Sequence, residues 1–258
     1  WGSKFWYNIV IMKTIAKNTN DFSSIRTMDH GNCIYVDKTD YFHRLVTAPG
    51  ENLFFISRPR RFGKSLMITT FKYIFEGRRE LFKGLKIDKT DYDWKVHPVI
   101  HLNFGLCARS SYAAFMAQLP DIVKSAIDKS GYSYDEKKVP AVNFLNAIEW
   151  HFEQGNPCVV LIDEYDDPVA RALANPAEAE QIREELAGFY GKIKDRTHMI
   201  RFLMITGVSK FTKMSVFSAL SNLTDITFEA EYAAMLGYVE ADLDEYFSEH
   251  MSAHAKRM

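Results

Sequence analysis

Gly63-Lys64-Ser65 closes an arginine-rich stretch, Arg58-Pro59-Arg60-Arg61-Phe62, and Asp163-Glu164 follows 99 positions after Lys64. Each residue type has a task in phosphate chemistry. Gly63 lets the backbone approach a phosphate with no Cβ in the way. N–H groups at a helix start carry partial positive charge toward the same anion. Lys64 reaches the outer phosphates, and the Ser65 hydroxyl can ligate Mg²⁺. Asp163 can hold the same cation directly or through water. Glu164 is then placed to orient and deprotonate an attacking water, a task worth on the order of 10²–10⁴ in rate.

The loop departs from the usual phosphate-loop pattern. The position five before Gly63 is Arg58 rather than glycine. Pro59 has no N–H to offer a phosphate. Arg58, Arg60 and Arg61 either compensate for the lost donors or face a partner. A third cluster, Met204-Ile205-Thr206-Gly207-Val208-Ser209-Lys210, ends another apolar run. Thr206 or Ser209 could sense a γ-phosphate there, as readily as they could form an ordinary Thr-Gly turn. Lys210 and Lys213 are read as solvated lysines, and Asp166 and Asp167 as turn or helix-capping groups.

These residues need a scaffold that brings strand ends together. Apolar runs of strand length alternate with segments of helical period. Strands are expected at 52–57, 98–104, 158–162 and 201–206, and a last one at 225–228. The run Cys158-Val159-Val160-Leu161-Ile162 is almost wholly apolar, as in a strand covered on both faces of a parallel sheet. Helices are expected at about 64–75, with Gly77 as C-cap, and around Phe115 to Ala126, kinked or divided at Pro120. A third starts at Pro140 and turns Phe144, Leu145, Ile148 and Phe152 inward. Others span about 177–194 and 240–251, the latter carrying Leu243, Phe247 and Met251. Residues 78–97 read as loop. The alternation implies an α/β fold with three layers and a parallel central sheet, whose ligands bind at the carboxyl ends of the strands.

The bulk numbers bound the function classes. A chain of 258 residues with 47% hydrophobic residues can bury one large core. The net charge of -1 gives no whole-surface attraction to nucleic acid or membrane. Nucleic-acid binding would need a local patch such as Arg58, Arg60, Arg61, Arg78 and Arg79. Cys33, Cys107 and Cys158 are widely spaced and form no CxxC pair, so the simplest compartment is a reducing cytoplasm. No stretch approaches a membrane span. His97 with His101, and His250 with His254, lack a third ligand and are not read as zinc sites. Residues 1–11 read as an upstream extension or a vector-derived remnant, 12–236 as the nucleotide-binding domain, and 237–258 as the start of a helical lid or a C-terminal helix.

Taken together, Tyr35-Val36-Asp37-Lys38-Thr39, Arg58 to Ser65, Leu161-Ile162-Asp163-Glu164-Tyr165-Asp166, Thr206 to Lys210 and Phe217 to Leu223 resemble the AAA-ATPase-like family. The resemblance runs from about Phe22 to Phe247. In that family Arg-Pro-Arg-Arg-Phe-Gly-Lys-Ser is the usual loop, so Arg58 departs from the general pattern without departing from the family. The resemblance implies a P-loop ATPase core of the additional-strand class and, in many members, a C-terminal PD-(D/E)XK-type nuclease domain. A chain ending at Met258 is then either naturally short or a fragment of a longer protein. In related ATPases a segment such as Asp37-Lys38-Thr39 can lie near the adenine; its alternative is a capping turn before the helix of Tyr41, Phe42 and Leu45.

The expected ligands are ATP and Mg²⁺. Arg60, Arg61, Phe62, Gly63, Lys64, Ser65, Leu66 and Thr206 are the expected nucleotide contacts, Ser65 and Asp163 the metal ligands, and Glu164 and Lys64 the catalytic pair. No arginine finger stands out, so hydrolysis is expected to be slow or to need a partner or second subunit. The alternative is a non-hydrolysing regulatory module that controls a nuclease-type effector.

Overall fold

A computed structural model of the chain describes residues 13–16, 19–107, 111–208 and 222–255. Residues 1–11, Ser209, Lys210, Lys213 and the 217–221 part of the family resemblance lie outside the described residues.

Five strands form one sheet: β1 (Leu53–Ser57), β2 (Val99–Asn103), β3 (Val159–Asp163), β4 (Phe202–Gly207) and β5 (Thr224–Asp225). The spatial order is β2-β3-β4-β1-β5, and every pairing is parallel. β4 therefore lies between the strand that leads into the arginine-rich loop and the strand that ends in Asp163, as the additional-strand arrangement requires. The helices are α1 (Phe22–Thr27), α2 (Thr39–Val46), α3 (Lys64–Phe75), α4 (Tyr112–Ser130), α5 (Pro140–Glu153), α6 (Asp167–Ala172), α7 (Pro176–Gly191) and α8 (Glu240–Ala255).

The sheet is apolar on both faces because helices cover both. Phe55, Ile100, Leu102, Val160, Ile162 and Ile205 point to the side of α4, α5 and α7. Phe54, Ile56, Val159, Leu161, Phe202 and Met204 point to the side of α1, α2 and α3. This is the three-layer α/β fold that the alternating runs imply. Central strands with both faces buried are continuous in hydrophobicity, and β3 and β4 are buried at every position.

Several local readings need correction. Pro120 does not divide its helix, and α4 runs unbroken for 19 residues. A lost backbone bond at proline costs about 3 kcal/mol. Burial of Phe115, Leu119, Val123, Ala126 and Ile127 along the same face offsets it, at roughly 1.5–3 kcal/mol for each large side chain. In α5, Phe152 faces solvent and His151 is buried instead. The His151 Nε2 lies 3.0 Å from the Ser130 hydroxyl, so the imidazole enters the core with a partner. Residues 78–97 are not plain loop: 3₁₀ turns at Arg79–Phe82 and Lys86–Lys89 bury Leu81, Phe82 and Ile87. β5 is only two residues long and starts one position earlier than expected. In α8, Leu243 and Met251 are exposed, and the buried residue is Asp242. Gly77 does close α3: at φ 69 its N–H bonds to the Ile74 carbonyl and that of Arg78 to Tyr73, a pairing that needs a left-handed residue.

Candidate functional site

The carboxyl ends of β1, β3 and β4 are neighbours, and backbone bonds tie them together. Arg58 N–H donates to the Gly207 carbonyl at 3.1 Å, and Tyr165 N–H to the Thr206 carbonyl at 2.9 Å. Both Asp166 carboxylate oxygens accept from Val208 N–H. Gly207 permits this closeness, since a Cβ there would lie 2.4 Å from the Tyr165 ring and 2.7 Å from Asp166 Oδ1. Asp166 thus occupies the N-cap position of α6 as expected, but its side chain ties strand ends together instead of capping the helix.

The arginine-rich loop wraps the start of α3. Gly63 adopts φ 87 and accepts the Met67 N–H. Open space surrounds the position of its missing Cβ, so conformation alone demands glycine there. Arg61, at φ 68, is one of the few non-glycine residues in the left-handed region, a strain that clusters at functional sites. Lys64 is 5% exposed, and its Nζ donates to the carbonyls of Arg58 at 2.9 Å and Pro59 at 3.1 Å. The ammonium therefore sits inside its own loop. Burial lowers its pKa, and the charges of Asp163, Glu164 and Asp166 draw it back up. Ser65 lies half-buried in the first turn of α3.

The three loop arginines separate. Arg58 donates to the carbonyls of Ser57 and Thr227 and so fastens β1 to the chain after β5. Arg60 reaches Asp167, with its Nη2 3.2 Å from Oδ1. Arg61 and Phe62 border a cavity described below.

Across from Lys64, Asp163 is 1% exposed and accepts the Thr206 hydroxyl at 2.6 Å. Thr206 is fully buried, and its hydroxyl is committed to orienting Asp163. Glu164 turns back at φ 54, the left-handed region again. Its carboxylate packs against Gly105, where a Cβ would stand 1.8 Å from Oε2. Burial raises the Glu164 pKa; Asp163 and Asp167 add to the rise, while Lys64 and Arg60 oppose it. A carboxyl shifted upward in this way is a better proton acceptor than an ordinary glutamate.

Asp163 and Ser65 offer only oxygen donors, the set that a hard divalent cation takes. Among the described residues, no group of three or more His, Cys, Asp or Glu side chains is disposed to hold a metal. One carboxylate and one hydroxyl still fit Mg²⁺, which keeps several waters and takes its other ligands from substrate phosphates.

A cavity of about 480 Å³ opens beside the loop. The loop contributes Phe62, Gly63 and Leu66, the N-terminal segment Tyr35 and Lys38, and the chain before α8 Leu236. Gly237 N–H donates to the Phe62 carbonyl at 3.1 Å, tying the loop to that chain. Lys38 and Asp242 form an ion pair at 2.6 Å, with side chains 10% and 12% exposed, beside the same cavity. Asp37 accepts from both the N–H and the hydroxyl of Thr39 and from Lys86 N–H. Asp37-Lys38-Thr39 is therefore the turn that starts α2, and Lys38 also lines the cavity. Gly105, Asp167, Arg171, Leu236 and Asp242 were not foreseen. Gly105, two residues past a strand's end, was the only one with a readable sequence signal.

A parallel sheet with an inserted strand, a glycine-lysine-serine loop and a carboxylate pair at the facing strand end defines a P-loop-type nucleotide-binding module. The family model described as Predicted AAA-ATPase matches residues 18–217, and the chain belongs to this AAA-ATPase-like family. It is 37% identical over 241 residues to a protein of Azotobacter chroococcum mcd 1 described as an uncharacterized protein in the vnfD 5′ region. That match covers 92% of this chain and 45% of the relative, so the chain spans a little under half of the relative's length. No solved structure matches significantly. Among the described residues, no helix is long and apolar enough to cross a membrane.

Proposed function

We propose that this chain is an Mg-dependent ATP-binding module that hydrolyses ATP slowly by itself. The observation that carries the reading is the meeting of Lys64, Asp163 and Glu164 at adjoining strand ends, with their charges acting on one another. The phosphates lie along the loop, with the N–H groups of residues 60–66 and the Lys64 ammonium as donors. Lys64 exchanges the Arg58 and Pro59 carbonyls, its present partners, for phosphate oxygens. Ser65 and Asp163 would hold Mg²⁺, which supplies charge neutralisation at the β- and γ-phosphates. Thr206 fixes the Asp163 carboxylate, and Glu164 accepts a proton from the attacking water.

The cavity beside Phe62 and Leu66 takes the base. Its walls are mainly apolar, and its place at the start of α3 lies next to the phosphate loop. In this reading α8 is the first helix of a lid, held to the nucleotide edge by Lys38 and Asp242. The family resemblance alone suggests an effector of nuclease type as this chain's partner. The free, buried cysteines Cys33, Cys107 and Cys158 agree with a cytoplasmic setting.

The test is hydrolysis and nucleotide binding by the wild type, Lys64→Ala and Glu164→Gln. The wild type should bind Mg-ATP and turn it over slowly, Lys64→Ala should lose binding, and Glu164→Gln should bind without turnover. Tight binding with turnover unaltered by Glu164→Gln would remove Glu164 from its role. No binding by the wild type would end the reading.

A further inference from the structure

Asp167 is the least expected charged residue near the site. Its side chain is 4% exposed, yet it receives two guanidinium groups: Arg60 from the phosphate loop on Oδ1 and Arg171 from α6 on Oδ2. A single buried carboxylate thus fixes two cations and leaves the cluster with a net positive charge. The cluster stands next to Glu164. Arg171 Nη2 lies 3.5 Å from the Gly105 carbonyl, and Gly105 is the residue against which the Glu164 carboxylate packs. The charges of Arg60 and Arg171 both act on Glu164, and that of Arg60 also acts on Lys64. Both guanidinium groups still face solvent, with side chains 66% and 40% exposed. Each guanidinium carries five N–H donors in a planar fork, more than one carboxylate can engage. By contrast, Arg58 is committed to the carbonyls of Ser57 and Thr227, and Arg61 faces the cavity.

We propose that Arg60 and Arg171, positioned by Asp167, form an in-chain cationic clamp for the terminal phosphate of the bound nucleotide. The inference rests on the ATP-binding reading and adds the groups that recognise the γ-phosphate. In the reaction, the water oxygen forms a bond to the γ-phosphorus. The bond from that phosphorus to the β,γ-bridging oxygen breaks, and its electron pair leaves with ADP. The water proton passes to Glu164. Charge on the three outer oxygens is met by the guanidinium N–H groups, whose planar fork engages two phosphate oxygens at once as an ammonium does not. Hydrolysis then needs no arginine from a second subunit.

The experiment compares wild type, Arg60→Ala, Arg60→Lys and Arg171→Ala in two assays. The first is calorimetric affinity for Mg-ATP and Mg-ADP. The second is single-turnover hydrolysis over a range of chain concentrations, with enzyme in excess. The clamp predicts that ADP affinity stays within about threefold of wild type in every variant, because the clamp touches only the third phosphate. Preference for ATP over ADP should collapse in the alanine variants. Hydrolysis should fall by about 10²–10³-fold, the cost of removing one preorganised donor to developing charge. Arg60→Lys should restore part of the ATP preference and less of the rate. Once the nucleotide is fully bound, the wild-type rate should not depend on chain concentration. Unchanged ATP preference and rate in both alanine variants would overturn the clamp, as would a wild-type rate that still climbs with concentration after the nucleotide is fully bound. A wild type that binds ATP without hydrolysing it still decides the matter through the ATP-to-ADP ratio. A wild type that binds neither nucleotide overturns the ATP-binding reading itself, and the clamp with it.

Discussion

Lys64, Asp163, Glu164 and Thr206 meet at the ends of three neighbouring strands, whereas the cavity beside Phe62 is walled by segments from opposite ends of the chain. Lys38 and Asp242, which flank that cavity, are 204 positions apart. The phosphate end is a polar network in which nearly every group has a named partner: Thr206 on Asp163, Asp166 on Val208, Asp167 on two arginines. The cavity is mainly apolar, and the Lys38–Asp242 ion pair and the Gly237–Phe62 backbone bond are among the contacts that hold its halves together. A polar network on a rigid sheet sets geometry and chemistry. In the proposed reading, the apolar pocket across two chain segments binds the base and couples binding to the position of α8. Substitution of Glu164 in the first region should therefore change rate with little effect on affinity, whereas Lys64 and the arginines there also hold the phosphates. Substitutions at the second region should lower affinity and leave the rate at saturating nucleotide unchanged.

The largest expected effect is at Glu164. Glu164→Gln should lower single-turnover hydrolysis by about 10²–10⁴-fold while leaving nucleotide affinity near wild type, since it removes a proton acceptor and little else. The wild-type rate should also fall with pH through a value above the ordinary glutamate pKa of 4.5, because burial and the neighbouring aspartates raise this group. A rate flat down to ordinary carboxylate pH would remove Glu164 as the base.

Next is Lys38→Ala, which leaves Asp242 buried without its cation. Breaking such a pair costs about 3 kcal/mol, read as a lowered midpoint in urea. The double variant Lys38→Met, Asp242→Leu should recover much of that loss. If it instead matches Lys38→Ala, the pair is not what holds α8.

Gly237→Val should lower affinity and stability and leave the rate at saturating nucleotide unchanged. Gly237 has φ +78, and a Cβ there would lie 3.3 Å from the Phe62 ring. Backbone strain of this kind costs about 1–3 kcal/mol of stability, read as a lowered midpoint in urea, and displacing Phe62 from the cavity wall should weaken ATP and ADP binding alike. A loss of rate with affinity intact would contradict the division of labour between the two regions.

The smallest effect at neutral pH is expected at His101, on β2 and outside both regions. Its Nε2 is buried with no partner, and burial lowers its pKa from 6.5 to about 4. The folded chain binds fewer protons there than the unfolded chain between those values, so stability should fall as pH drops from 6.5 toward 4. His101→Leu should flatten that slope and change neutral-pH stability by within about 1 kcal/mol. An unchanged slope in thermal melts across that pH range would assign the acid sensitivity elsewhere.

The same contrast explains what could be read without coordinates. Strands β1, β3 and β4 were legible because both faces are buried, which leaves a continuous apolar run in the sequence. Gly63, Lys64, Asp163 and Glu164 were legible because short motifs at strand ends carry their own context. Thr206 was found as a polar residue at the right strand end, but its bond to Asp163 depends on β4 lying beside β3. The cavity was illegible for the same reason that the pairing of Lys38 with Asp242 was: neither apolar composition nor a lone charge indicates which distant segment it will meet. Phe152 was misjudged because a histidine with a hydroxyl partner took the inward position in α5. Asp167 was read only as a turn or helix-capping group and Arg171 was passed over, because charged residues beside a turn are common and only their shared geometry with Arg60 distinguishes them.

The central claim is that one nucleotide binds across both regions. Calorimetric titration of the wild type, Lys64→Ala and Gly237→Val with Mg-ATP tests it most directly. The account predicts one site per chain in the wild type, no measurable binding in Lys64→Ala, and weakened binding at the same stoichiometry in Gly237→Val. Wild-type binding that both substitutions leave untouched, or no binding at all, would contradict it.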